Sequence, residues 1–385
     1  MQTDVRRLFE NAQESVEIFM RIGIIDADLL DKGTRHPNLA LMKISAYNKE
    51  QGYYVQLIED YSDVDNYDRL YASKVFTNTS FPAELTNKPN LRRGGTGFYK
   101  NGGRSLPKDI EHHMPDYDLY TNFVTKKIAT GVKRSYYADY LDYSIGFTTR
   151  GCFRKCPFCV NKKYDHAFRH SQVIDFLNQA RPYVYLWDDN FLAFSGWRSI
   201  LEELAKIGKP FQFRQGLDIR LLSNDHAKAF AKAKYKGDFI FAFDHINEMP
   251  EIEKHLKIWR DNSLRGTRLY VLCGYYSLGI DEVESAFIRI ETLMRYGCLP
   301  YIMRYNKCEK SQHVHLFTQI ARWCNQPQFF KKMSFREYCE ANEKYHKNRD
   351  QHCMAFKTML DFEANYPEIA KKYFDLKYDI LNQYK

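Results

Sequence analysis

Residues 142–159 read Asp142-Tyr-Ser-Ile-Gly146-Phe-Thr-Thr-Arg-Gly151-Cys152-Phe-Arg-Lys-Cys156-Pro-Phe158-Cys159. An apolar strand candidate over 143–148 runs into Gly151, and three cysteines follow at C-x3-C-x2-C spacing on a loop with Arg154, Lys155 and Pro157. Thiolates held this closely can ligate three irons of a 4Fe–4S cluster, leaving the fourth iron without a protein ligand. A structural zinc site asks for a fourth Cys or His. His166 and His170 follow closely enough to supply one, so zinc is the alternative for Cys152, Cys156 and Cys159.

Downstream of this loop the pattern repeats. Further strand candidates fall at 183–188, 211–215, 238–243, 268–274 and 299–304. Helical stretches separate them near 171–180, 196–207, 224–235, 250–262 and 281–296. Six βα alternations predict a (βα)6 partial TIM barrel over 142–306, with function at the carboxyl ends of its strands. Polar clusters stand at those ends: Asp188-Asp189-Asn190, Arg214-Gln215, Asp244-His245 and Arg304-Tyr305-Asn306. Residues 307–385 read as a helical, aromatic, mildly basic region.

Upstream, a strand at 22–26, a helix at about 38–51, and strands at 53–58 and about 70–77 predict a parallel, Rossmann-like α/β unit over 1–103. It ends in the glycine-dense run Leu91-Arg-Arg-Gly-Gly-Thr-Gly-Phe-Tyr-Lys-Asn-Gly-Gly, which suits either a phosphate cradle or a tight bend. Residues 104–141, with Pro107, Pro115 and the His112-His113 pair, read as a connecting segment. The fold class is therefore α/β: a Rossmann-like sheet, then the partial barrel, then helices.

Composition narrows the function. With 385 residues, 44% hydrophobic and 27% charged, the chain has the balance of a multidomain globular protein. No stretch approaches the roughly 18 apolar residues of a membrane span. The opening Met1-Gln-Thr-Asp-Val-Arg-Arg carries an early acid and no apolar run, so it does not read as a secretory signal. Nine cysteines, an odd number, argue against a disulfide framework. The net charge of +9 favours polyanionic partners without requiring them, because the basic residues are dispersed.

The C-x3-C-x-aromatic-C loop after the first strand of a six-strand βα array resembles the radical SAM superfamily. Three groups of segments resemble, more closely, an uncharacterised bacterial and phage branch of it. They are Gly94-Gly95-Thr96-Gly97 with Gly146-Phe-Thr-Thr-Arg-Gly-Cys152, then Gln215-Gly-Leu-Asp-Ile-Arg-Leu-Leu222, and lastly Tyr301-Ile-Met-Arg-Tyr305 with Ala321-Arg-Trp-Cys-Asn325.

The resemblance implies a 4Fe–4S cluster on the three cysteines and S-adenosylmethionine (SAM) on the open iron. An external one-electron reductant drives cleavage of the sulfonium to a 5′-deoxyadenosyl radical that abstracts hydrogen from a substrate. It also implies that Phe158 neighbours the adenine. Asp188, Asp189 and Asn190 stand where the superfamily has a Gly-Gly-Glu segment that contacts the methionyl ammonium, and a carboxylate suits an ammonium. Such a pair at a strand end also serves as a helix N-cap. Arg214, Gln215 and Arg220 are candidates for the SAM carboxylate, since a guanidinium binds one bidentately. Val271, Leu272 and Gly274 match the strand that passes the adenine, and read equally as core. Asp244, His245, Cys273, Tyr275 and Arg304 are candidates for the substrate side, whereas Cys298 and Cys308 read as structural.

The N-terminal unit resembles the cobalamin-binding domain fused to many radical SAM enzymes, but it lacks the Asp-x-His-x-x-Gly signature. The corresponding region is Lys32-Gly-Thr-Arg-His36-Pro-Asn-Leu. Cobalamin stays open as a cofactor, and a domain serving shape alone is favoured. The substrate is a nucleic-acid base, as in tRNA, which aromatics stack well, or a peptide or small metabolite. The alternative is a metal-stapled, non-catalytic binding or electron-transfer protein. No membrane role is expected, and a cluster of this kind places the chain in the reducing cytoplasm.

Overall fold

The computed structural model describes residues 20–99, 103–346 and 351–384, so the opening heptapeptide and residues 100–102 of the glycine-dense run lie outside the described residues. The chain divides into two compact units, 1–143 and 144–385.

In the first unit, β1 (Arg21–Asp26) is buried along five consecutive residues, as its Ile-Gly-Ile-Ile run requires of a strand covered on both faces. A short helix Ala27–Lys32 follows. The helix Leu39–Glu50 starts where the Asn38 side chain accepts a hydrogen bond from the Leu41 N–H. Then come β2 (Tyr54–Leu57), β3 (Arg69–Ser73) and β4 (Leu91–Gly94). All pair in parallel, in the order β2-β1-β3-β4. The fourth strand, two arginines and a glycine after Leu91, has no apolar run to mark it in the sequence.

Residues 104–141 are more than a connector. Tyr117, Leu119, Tyr120, Phe123, Val124, Tyr137 and Tyr140 are buried in one core with Ile22, Ile24, Leu41 and Met42. Pro107 and Pro115 masked this, because the apolar residues that follow them are spaced irregularly between charges.

In the second unit, β5 (Tyr143–Gly146) leads to a short antiparallel pair, β6 (Thr149–Arg150) with β7 (Phe168–Arg169). Five more strands follow: β8 (Tyr183–Leu186), β9 (Phe211–Phe213), β10 (Phe239–Ala242), β11 (Thr267–Cys273) and β12 (Leu299–Arg304). They form two sheets, β5-β8-β9 and β10-β11-β12. Among the described residues one parallel bridge, Leu217 to Phe241, links them through the Leu217 N–H and the Ile240 carbonyl at 2.8 Å. Among the described residues no ladder joins β12 to β5. The expected barrel is thus an open series of six strands. The amide of Asn325 covers the far edge, accepting from Ile302 N–H at 2.7 Å and donating to the Ile302 carbonyl at 3.2 Å. A side chain there does what a neighbouring strand would do.

Four of the expected connecting helices form: Trp197–Ile207, Asn224–Lys232, Met249–Asn262 and Ile280–Arg295. The one expected near 171–180 does not. Only a 3₁₀ turn, Val173–Phe176, stands there. Asn178 competes for the backbone, its N–H donating to Ser144 Oγ at 3.0 Å and its side-chain oxygen accepting from Ala180 N–H. Beyond β12 the helices Val314–Cys324, Phe335–Lys344, Met354–Asn365 and Pro367–Tyr373 share the core of the strands. Phe317, Trp323, Phe335 and Tyr373 pack in one cluster with Phe239, Phe241 and Val271.

Candidate functional site

The site is assembled where β5 ends. Gly146 lies against the Phe176 ring, and a Cβ there would approach it to 2.3 Å. The next residues are captured by Asp188 at the end of β8. Its buried carboxylate accepts from Thr148 N–H (2.7 Å), Thr149 N–H (3.0 Å), Thr149 Oγ1 (2.8 Å) and Thr148 Oγ1. Burial still pushes its pKa up to about 6, against these four donors. Asp189 takes the following step of the chain, accepting from Gly151 N–H at 2.7 Å and pairing with Arg150 at 3.3 Å. Neither acid caps the short turn at Phe191–Ala193. Both bind the segment that launches the cysteine loop.

Gly151 turns at φ +90°, and a Cβ would come within 2.1 Å of the His166 carbonyl. Only glycine meets both demands. The loop is closed at its base by the β6–β7 pair and tied across by Lys155, which donates to the Tyr164 and Lys162 carbonyls at 2.7 and 3.3 Å. Cys152, Cys156 and Cys159 are half-buried free thiols. Asn190 Nδ2 donates to Cys152 Sγ at 3.2 Å, and Asn161 N–H to Cys159 Sγ at 3.4 Å. The second polar atom of Asn190, Oδ1, is buried without a partner among the described residues. Burial pushes the Cys156 and Cys159 thiols up. Neighbouring thiols raise them further, while Arg220 pulls Cys156 down.

Arg220 is drawn to the loop by a chain of charges. Asp218 holds Arg220 Nε on one carboxylate oxygen at 2.7 Å and Arg154 Nε of the cysteine loop on the other. Arg220 also pairs with Glu248. Asp244, at the end of β10, lies among Arg220, Arg289, Glu248 and Asp218, and burial lifts its pKa to about 7. The buried Arg289 fixes this end of the sheet, donating to the Phe243, Asp244 and Leu272 carbonyls and pairing with Glu282 at 3.0 Å.

An aromatic wall stands beside the charges. Phe158 meets Tyr275 and Tyr276 edge-on at 5.5 and 6.4 Å, Tyr275 meets Tyr305 at 4.8 Å, and Tyr276 meets His245 at 4.2 Å. Tyr276 escaped the sequence reading. Its only signal was its place two residues past Gly274, the glycine that follows β11.

Not every candidate joins. Gln215 is exposed in the turn after β9, and Arg214 bonds the Tyr185 hydroxyl at 3.1 Å. Val271, Leu272, Cys273, Cys298 and Cys308 are buried core, and Arg304 is exposed, bonded to Thr318. His166 is exposed and bonds Asp165, while His170 bonds Ser171. Among the described residues no three His, Cys, Asp or Glu side chains stand together as a ready ligand set, so the thiols share a loop without a preformed coordination sphere. The donor set nevertheless suits a cluster: three free thiols on one tied loop, N–H donors on two sulfurs, and a guanidinium in reach. A bound metal would displace the protons that burial retains on the Cys156 and Cys159 thiols.

No family model matches the chain, and no curated protein matches it. Among solved structures, its fold is similar to that of a radical S-adenosylmethionine methyltransferase. That methyltransferase is TsrM from Kitasatospora setae. Its structure with cobalamin and a [4Fe-4S] cluster aligns with a TM-score of 0.51 at 12% identity, over 74% of this chain and 75% of that one. Its structure with tryptophan and the SAM analogue aza-SAM aligns at 0.50 and 13% identity, over 73% of this chain and 72% of that one. At such identity the likeness is one of fold. No helix among the described residues is long and apolar enough to cross a membrane.

Proposed function

We propose that the chain is a radical SAM enzyme, in the branch its sequence segments resemble, with a 4Fe–4S cluster on Cys152, Cys156 and Cys159. The observation that carries the reading is the cysteine loop itself, tied at the carboxyl end of the first of six serial strands and facing an unpartnered buried acceptor. When bound, the cluster and SAM supply one-electron cleavage of the sulfonium to methionine and a 5′-deoxyadenosyl radical, which takes a hydrogen atom from substrate.

The chain's residues orient that chemistry. Asn190 donates to Cys152 and keeps Oδ1 for an N–H donor, which the methionyl ammonium provides. Asp188 and Asp189 act one step back, positioning the backbone at 148–151. Arg220, linked to the loop through Asp218 and Arg154, is the candidate for the SAM carboxylate, and Gln215 is the outer one. Phe158 with Tyr275 and Tyr276 offers ring faces and edges to the adenine, a geometry aromatic pairs favour. The same wall, with Asp244 beside it, suits a planar substrate such as a nucleic-acid base, with a peptide or small metabolite as the other class. A reductant is required from outside the chain, in a reducing compartment such as the cytoplasm.

The experiment is anaerobic reconstitution with iron and sulfide, followed by assay of 5′-deoxyadenosine from SAM and a strong reductant. The proposal expects formation by the wild type and loss in Cys156→Ala. No formation, with tightly bound zinc and no SAM-induced change in the cluster spectrum, refutes it. The TsrM structure also contains cobalamin.

A further inference from the structure

We infer that the N-terminal unit seals its own ligand crevice and takes no cobalamin, so that the reaction proceeds without a cobalt-borne methyl group. In an open parallel sheet, ligands bind outside the carboxyl ends of the strands where successive crossovers leave in opposite directions. In the order β2-β1-β3-β4 that point lies between β1 and β3.

Side chains of this chain lace it shut. The Tyr120 hydroxyl donates to Asp26 Oδ2, at the end of β1, at 2.8 Å, and accepts from Asn38 N–H at 3.1 Å. Asn38 Nδ2 in turn donates to Ser73 Oγ, at the end of β3, at 2.8 Å. The two strand ends are thus joined through Tyr120 and Asn38. The Tyr140 ring backs Tyr120 at 5.0 Å, and its hydroxyl is held by the Thr34 and His36 carbonyls. Asp26, Tyr120 and Tyr140 are each at most 3% exposed. A second lacing comes from Asp28, which accepts from Val75 N–H, Phe76 N–H and Thr79 Oγ1.

The glycine-dense run points the same way. A Cβ on Gly95 would meet the Lys74 carbonyl at 2.3 Å, and one on Gly97 would meet Lys74 Cγ and the Phe76 carbonyl at 2.6 Å. These glycines serve the close approach of one loop to another, with Gly97 N–H bonded to the Lys74 carbonyl at 2.8 Å. They are accounted for without a ligand tail.

The inference concerns the first unit alone, and only its consequence for the reaction rests on the radical SAM reading. The test incubates the full chain anaerobically with hydroxocobalamin, desalts it, and measures cobalt and the visible corrin spectrum. In parallel, 5′-deoxyadenosine formation is assayed with and without added cobalamin. Expected are cobalt at the level of an albumin control and no change in 5′-deoxyadenosine formation. Stoichiometric cobalt after desalting, or a severalfold stimulation by cobalamin, overturns the inference. Cobalt retention is read whether or not SAM is cleaved, so this result separates from failure of the proposed function.

Discussion

Asn190 places its side-chain amide nitrogen 3.2 Å from the sulfur of Cys152, with its other polar atom buried and unpartnered among the described residues. One side chain therefore touches both the thiol that would hold metal and the space beside it. Replacing Asn190 with Leu keeps the volume and removes both functions. A hydrogen bond to a charged group contributes about 1.5–3 kcal/mol. SAM affinity, followed by its effect on the cluster's electron paramagnetic resonance spectrum, should weaken at least tenfold (about 1.4 kcal/mol). Unchanged SAM affinity would remove Asn190 from the site.

Asp188 has a structural task, since four donors from Thr148 and Thr149 converge on it. Asp188→Ala leaves them unsatisfied in a buried space, at a cost of about 1–3 kcal/mol for each donor that finds no water. Chemical denaturation should show a loss of about 3 kcal/mol or more in the second unit, with Asp188→Asn losing less. If the alanine variant melts like wild type, the carboxylate is not a brace.

Gly151 offers a sharper test of the loop. Alanine there must adopt φ +90° and meet the His166 carbonyl at 2.1 Å. Backbone strain of this kind costs on the order of 1–3 kcal/mol, before the clash is relieved. Gly151→Ala should bind markedly less iron and sulfide after reconstitution, while its far-ultraviolet circular dichroism is retained. Full iron loading would show that the loop geometry is not required.

Asp218 bridges the cysteine loop to the turn after β9 by taking Arg154 and Arg220 on opposite oxygens. Asp218→Asn should free Arg154, and limited trypsin digestion should then cut at Arg154 or Lys155 faster than in wild type. Equal cleavage rates would mean that the β6–β7 base and the Lys155 tie hold the loop without Asp218.

The first unit carries a pH signature. Burial raises Asp26 from 3.8 to about 7, so folding favours its protonated form. Its contribution is then complete below about pH 4 and is lost as pH rises through about 7. Hydrogen exchange at β1 amides should report stability falling across that interval in wild type. Asp26→Asn, which still accepts from Tyr120, should flatten the slope. An unaltered slope would assign the titration elsewhere.

What the sequence determined by itself was local. Runs of apolar residues located β1 and the six strands from Tyr143 to Arg304, because a strand buried on both faces needs them. The spacing of Cys152, Cys156 and Cys159 is intrinsic to the chain, so the thiol loop was legible without coordinates. Periodicity failed where side chains bond the backbone, as Asn178 and Ser144 do in place of a helix. Partnerships between distant residues were decided only by tertiary structure. Nothing in Asp188-Asp189-Asn190 says that the first acid grips Thr148, the second Gly151 and the amide Cys152. Nor does any pattern in 104–141 announce that Tyr120 will bond Asp26, ninety-four residues earlier in the chain. Such contacts are selected by the fold's burial of polar groups, each of which must find a partner wherever the packed chain brings one.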